Sequence, residues 1–105
     1  MPQIIYNVTC SVENDIAEEW LVWMRKTHIP EVMQTGLFLS YKFLRVIGPV
    51  GEEIAESTYA VQYVLPDIET FLNYTNNFAP ALQAKTAQKY GERVLAFRTL
   101  LEVMD

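Results

Sequence analysis

The sequence predicts an α+β fold: a ferredoxin-like chain of β-α-β-β-α-β order with a four-stranded antiparallel sheet and its helices on one face. Three observations predict it. Four segments, Gln3 to Val12, Leu37 to Ile47, Ser57 to Leu65 and Arg93 to Met104, are rich in β-branched, aromatic and aliphatic residues and read as strands. Two longer stretches between them carry apolar residues at helical spacing. The second and third strands are joined by a short turn-rich segment, Gly48-Pro49-Val50-Gly51-Glu52-Glu53, which makes them an antiparallel hairpin.

The first strand alternates, with Ile4, Tyr6, Val8, Cys10 and Val12 on one side and Asn7, Thr9 and Ser11 on the other. Asn14 or Asp15 is placed to cap the helix that follows, Glu18 and Glu19 suit the positive end of its dipole, and Ile16, Trp20, Trp23 and Met24 form its apolar stripe. Thr27-His28-Ile29-Pro30 is expected to break that helix, because a residue before proline is pushed out of the α region; Pro30 then opens a short segment ending near Gly36. After the hairpin, Pro66-Asp67 opens a second helical region with Phe71, Tyr74, Phe78 and Leu82 buried. Pro80 is expected to kink or split it and Gly91 to stop it. No linker, repeat or low-complexity tract divides the chain, so residues 1–105 are expected to form one domain.

With the helices on one face of the sheet, the other face is bare. Alternation assigns Tyr6, Val8, Tyr59, Val61 and Tyr63 to the helix side, together with Leu95, Phe97 and Leu101 of the last strand. The bare side receives Asn7, Thr9, Thr58, Ala60 and Gln62, then Leu39, Tyr41, Phe43 and Arg45, then Ala96, Arg98, Leu100 and Glu102. That mixture is too apolar for water and too polar for a dry core, so a second copy of the sheet is expected to cover it, giving a homodimeric barrel across a twofold axis. Arg45 or Arg98 against Glu102 is the expected ion pair inside it.

Composition narrows the function classes. Half of the residues are hydrophobic and the net charge is −5, with eight basic residues scattered and none in a block. Nucleic acid is therefore not an expected partner. The N-terminal residues lack the basic and apolar pattern of a leader, and no run reaches the roughly 20 apolar residues of a membrane span, so a cytoplasmic location with no membrane partner is expected. The lone Cys10 makes no internal disulfide and has no second cysteine for a zinc site. No acidic cluster has metal-ligand spacing, and Glu52-Glu53 reads as solvated surface. No cofactor and no metal are expected.

His28, the only histidine, is the natural catalytic acid or base if the protein is an enzyme; its structural alternative is a helix-end ring bonded to a backbone carbonyl. Asn7, Gln62 and Arg98 could orient an anionic or carbonyl-bearing ligand, or equally form a polar network that fixes the register of a dimer. Trp20 and Trp23 could wall a ligand pocket, though helical spacing of aromatic residues more often means core packing, and Arg45 completes the ligand-binding candidates. Cys10 reads as a small buried hydrophobe.

Tyr6-Asn7-Val8-Thr9, Trp20-x-x-Trp23-Met24-x-x-x-His28-Ile29-Pro30-Glu31-Val32-Met33-x-Thr35-Gly36-Leu37-Phe38, Tyr59-Ala60-Val61-Gln62-Tyr63, Phe78-Ala79-Pro80-Ala81-Leu82 and Phe97-Arg98-Thr99-Leu100-Leu101-Glu102 together resemble a small-domain family of unknown function. That family resembles the dimeric α+β barrel superfamily, which implies the twofold barrel and brings no activity of its own. The His28-x-Pro30 corner is similar to a motif of the EthD-like branch, in a superfamily that also holds cofactor-free monooxygenases, polyketide cyclases and haem-degrading enzymes. A haem-degrading relative implies a histidine on the second helix, and Phe71 to Tyr90 holds none.

The expectation is thus a homodimer that binds a small molecule between sheet and helices, nearest to His28, Asn7, Gln62 and Arg98. As an enzyme it would act without cofactor, monooxygenase- or cyclase-like, with His28 as acid or base. The alternative is a non-catalytic protein-interaction or stress-related domain whose barrel is filled by its own side chains.

Overall fold

Antiparallel pairing on both sides of the first strand organises the molecule. In the computed structural model, which describes residues 2–52 and 57–105, β1 (Ile4–Val12) lies between β3 (Ser57–Leu65) and β4 (Val94–Glu102), and β2 (Ser40–Arg45) flanks β3. The order β2-β3-β1-β4 is the ferredoxin-like topology that the sequence predicts. β3 keeps its predicted bounds and the other strands are shorter at their ends. Of the predicted turn, Glu53 falls outside the described residues; Pro49 C=O accepts from Glu52 N–H at 3.0 Å within it.

The first helical region runs as α1 (Ala17–Trp23), a wider π-helical turn over Met24–His28, and α2 (Ile29–Met33). The predicted break at Pro30 does not occur: His28, at φ −70° and ψ −54°, stays in the right-handed helical region. Proline lacks an N–H and its ring crowds the carbonyl four residues earlier, here that of Lys26. The helix accommodates this by widening, and Ile29 N–H bonds to Met24 C=O, five residues back. Neither predicted cap forms. Asn14 Oδ1 instead accepts from the backbone N–H (3.0 Å) and hydroxyl (2.8 Å) of Ser57, tying the helix entrance to the start of β3. Asp15, with Glu13, pairs with Arg93.

The second helical region follows the sequence closely. Asp67 caps α3 (Ile68–Asn77), its carboxylate accepting from Thr70 N–H at 2.8 Å. Pro80 falls in the first turn of α4 (Ala79–Tyr90), where its missing N–H removes no helical bond, and Gly91 ends that helix at φ +57°. Among the described residues no helix is long and apolar enough to cross a membrane.

The helices cover one face of the sheet. Trp20, Ile29 and Val32 from the first region meet Val12, Val61 and Leu65 from the strands, all nearly inaccessible to solvent. Partners across antiparallel strands share a face, so the register fixes which side chains these are. Tyr6 stands opposite Tyr63 and Leu100; Val8 opposite Val61 and Arg98; Cys10 opposite Tyr59 and Ala96.

This register corrects the predicted faces of two strands. On β2, Tyr41, Phe43 and Arg45 pair with Tyr63, Val61 and Tyr59 and so share the helix side. On β4, Ala96, Arg98, Leu100 and Glu102 share it too, while Leu95, Phe97 and Leu101 turn to the open face. The physical reason is that both parities of β4 carry aliphatic residues, so alternation alone does not orient it; pairing with β1 does. No ion pair joins Arg45 or Arg98 to Glu102 among the described residues, and Arg98 instead bonds to Tyr6.

The open face is banded. Leu44, Ala60, Thr9 and Phe97 form one row across the sheet; Lys42, Gln62, Asn7 and Thr99 form the next; Ser40, Val64, Ile5 and Leu101 form a third. Phe97 is 71% exposed and Leu95 62%.

Core depth predicts a contrast between two leucines. Leu65→Ala, at a fully buried position, should lower unfolding stability by about 2–5 kcal/mol in urea denaturation. Leu72→Ala, on the exposed side of α3, should stay within about 0.5 kcal/mol of the parent.

Candidate functional site

β4 turns Leu95 and Phe97 outward and places Val94 and Ala96 toward the helices, which leaves room beneath α4 and the π-helical turn. A cavity of about 70 Å³ lies there, walled by Tyr6, Val8, Cys10, Trp20, Met24 and Val61 among others, with Arg98, Gln83 and Thr86 on the β4 and α4 sides. Arg98 and Gln83 are solvent-exposed, so the cavity opens between β4 and α4. A typical drug-sized pocket measures roughly 300–1,000 Å³, so only a small guest or one end of a longer one fits.

Three of the polar side chains at this cavity matter most for its electrostatics: Tyr6, Arg98 and His28. Tyr6 comes from β1, its ring set by Tyr63, Phe71 and Tyr74 at centroid distances of 6.1, 5.1 and 5.9 Å. Arg98 Nε donates to Tyr6 Oη at 3.1 Å. Burial pushes the Tyr6 pKa up, outweighing the lowering by Arg98, so the phenol keeps its proton at neutral pH. With its oxygen already accepting from Arg98, the phenolic O–H is left to donate.

His28 is the third. Its ring stacks on Trp23 (centroids 5.0 Å apart, 22° between planes), and Trp23 meets the edge of Tyr90 at 5.4 Å. Among the described residues the imidazole has no hydrogen-bond partner, so the bond to a backbone carbonyl is not formed. Burial lowers its pKa below the usual 6.5, Glu31 opposes this, and Arg98 and Lys85 add to the lowering. A neutral imidazole with a free lone pair therefore faces a cationic guanidinium and a protonated phenol across one cavity. Trp20, which also lines it, carries a buried indole N–H without a partner among the described residues.

The other site residues read from the sequence lie elsewhere. Asn7 and Gln62 stand opposite each other on the open face, with Asn7 Nδ2 donating to Thr9 Oγ1 at 3.0 Å. The sheet separates both from the cavity, so they are not near His28. Trp23 supports the His28 ring without lining the cavity, and Arg45 lines a separate groove beside β2. Tyr6 was not among the predicted site residues, although it stands in the inward row of β1 as the only member with a polar tip besides Cys10. Gln83 and Thr86 gave no signal, since polar residues on a helix read as solvated surface. Burial raises the Cys10 thiol to about 11, which leaves it an unreactive packing group at neutral pH. Among the described residues no three of His, Cys, Asp and Glu are grouped to hold a metal ion.

Residues 3–104 match the model of a family described as a domain of unknown function, DUF4286. The chain belongs to the DUF4286 family. No curated protein matches it. Solved structures share its fold at low identity. An ethyl tert-butyl ether D (EthD) family protein from Bacillus halodurans is 15% identical with a TM-score of 0.73, over 96% of this chain and 99% of its own. A dimeric ferredoxin-like protein from an uncultured marine organism is 17% identical with a TM-score of 0.66, over 100% and 98%. The hydroxynitrile lyase of Passiflora edulis is 17% identical with a TM-score of 0.62, over 96% and 95%. At such identities these show that DUF4286 shares the ferredoxin-like fold, and nothing of its chemistry.

The electrostatics of the DUF4286 cavity predict how His28 titrates. By NMR its pKa should lie below 6.5, Arg98→Gln should raise it by removing a like charge, and Glu31→Gln should lower it further. Since the unfolded chain binds this proton more readily, His28 should cost stability progressively as pH falls below about 6.5.

Proposed function

We propose that this DUF4286 protein is a homodimeric small-molecule-binding barrel whose cavity performs cofactor-independent proton transfer on a small carbonyl compound. The observation that carries the reading is the meeting of an unprotonated His28 with the Tyr6–Arg98 pair at one largely apolar cavity. His28 takes a proton from the carbon beside the carbonyl. The electron pair moves onto the carbonyl oxygen, and Tyr6 O–H and Arg98 stabilise the resulting enolate. The proton then returns from His28 to the enolate, and nothing is oxidised or reduced.

The dimer rests on the open sheet face. Leu44, Leu95, Phe97 and Leu101 are 38–71% exposed there, far more aliphatic and aromatic surface than a sheet face presents to water without a cover. A second copy supplies the same rows in return, so apolar bands meet and Asn7, Gln62 and Thr99 find polar partners across a twofold axis. The dimeric ferredoxin-like neighbour has a sheet of the same kind.

Two measurements test this. Light scattering should give twice the 12.1 kDa chain mass, and Phe97→Glu should halve it. In D₂O, the wild type should accelerate α-proton exchange of cyclohexanone, with about 10²-fold or greater loss in His28→Gln and in Arg98→Gln. Exchange at the buffer rate, with no cyclohexanone-induced shift of cavity resonances, would leave the protein-interaction reading standing instead. A wild-type monomer would remove the barrel.

A further inference from the structure

A groove of about 300 Å³ beside β2 is lined by Leu21, Arg25, Phe43, Leu44, Arg45 and Tyr59. It shares no lining residue with the His28 cavity. Two of the eight basic residues of a chain with net charge −5 converge on it. Among the described residues the ion pairs are Lys85 with Glu31 and Arg93 with Glu13 and Asp15, so neither Arg25 nor Arg45 is neutralised by a carboxylate there. The Arg25 guanidinium lies over the Phe43 ring, 5.8 Å from its centroid, a contact that orients the cation without cancelling its charge.

The floor is rigid and apolar. Phe43 and Tyr59 pack against each other at 6.2 Å, and the inaccessible Trp20 backs both, at 5.9 and 5.3 Å. Of the strand residues in the lining only Leu44 belongs to the open face, while Phe43, Arg45 and Tyr59 belong to the helix side, so joining two open faces leaves the arginine end of the groove reachable from solvent. Its volume far exceeds what a bare inorganic ion needs, and its floor offers a ring nothing but stacking.

We propose that this groove binds a small aromatic carboxylate, with the ring on Phe43 and Tyr59 and the carboxylate held by Arg25 and Arg45. Guanidinium forks match carboxylate geometry, and a low-dielectric aromatic floor strengthens the pairing. The site is independent of the proton-transfer reading, because it uses none of the same side chains.

The test titrates the full chain with benzoate, followed by amide chemical shifts. Benzyl alcohol serves as the uncharged ring and inorganic phosphate as the ringless anion. Saturable shifts around Arg25, Phe43 and Arg45 are expected, with about tenfold or greater weakening in Arg25→Gln and in Arg45→Gln, and no change in Arg98→Gln. Arg25 and Arg45 are exposed, so both variants should keep the wild-type amide spectrum elsewhere. Absence of saturable benzoate shifts, wild-type affinity in both arginine variants, loss of affinity in Arg98→Gln, or phosphate binding as tightly as benzoate would each overturn the proposal.

Discussion

Because β1 pairs with β3 on one side and β4 on the other over all nine of its residues, the facing of nearly every sheet side chain follows from that of Tyr6 and Asn7. A slip of one residue in either ladder would exchange the two faces of a whole strand. In the β1–β4 ladder it would turn Phe97 toward the helices, where Ala96 now leaves space, and would take Arg98 away from Tyr6. Cavity, open face and polar pair are therefore one consequence of one pairing pattern.

Pro30 acts at a second level. By denying its N–H to the helix, it produces the wide turn from Met24 to His28, and that turn carries two groups to different places: His28 to the inner cavity and Arg25 to the groove beside β2. Each is then fixed by a ring, Trp23 under His28 and Phe43 under Arg25. Aromatic packing, which by itself only fills a core, here orients an imidazole and a guanidinium as well.

The order of elements was legible in the sequence because period-two and period-3.6 patterns are strong in β1, β3 and α3, and because Asp67, Pro80 and Gly91 each act locally. His28 was legible as a candidate too, since no other histidine competes, and it does line the cavity. What did not show was anything set by partners distant in sequence. The V-L-A-F-R-T-L-L-E run of β4 has apolar residues at both parities, so only its ladder with β1 decides that Arg98 points inward. Asn14 has the right chemistry for a cap, and loses that role to Ser57, 43 residues away. Pro30 looked like a stop because the common effect of proline is to end a helix, whereas this helix had the freedom to widen.

Ala96 has a consequence for how such a chain could diversify. It sits on an edge strand, and its methyl group forms part of the cavity wall without anchoring a helix. Edge strands tolerate changes that a central strand does not, since only one ladder constrains them. A larger aliphatic side chain there would shorten the cavity by its own volume, and glycine would lengthen it, with the helices and the opposite face left as they are. Cavity size is thereby tunable at a single position, separately from the Tyr6–Arg98 pair, so descendants of one scaffold could change the room between sheet and helices without first losing that polar contact.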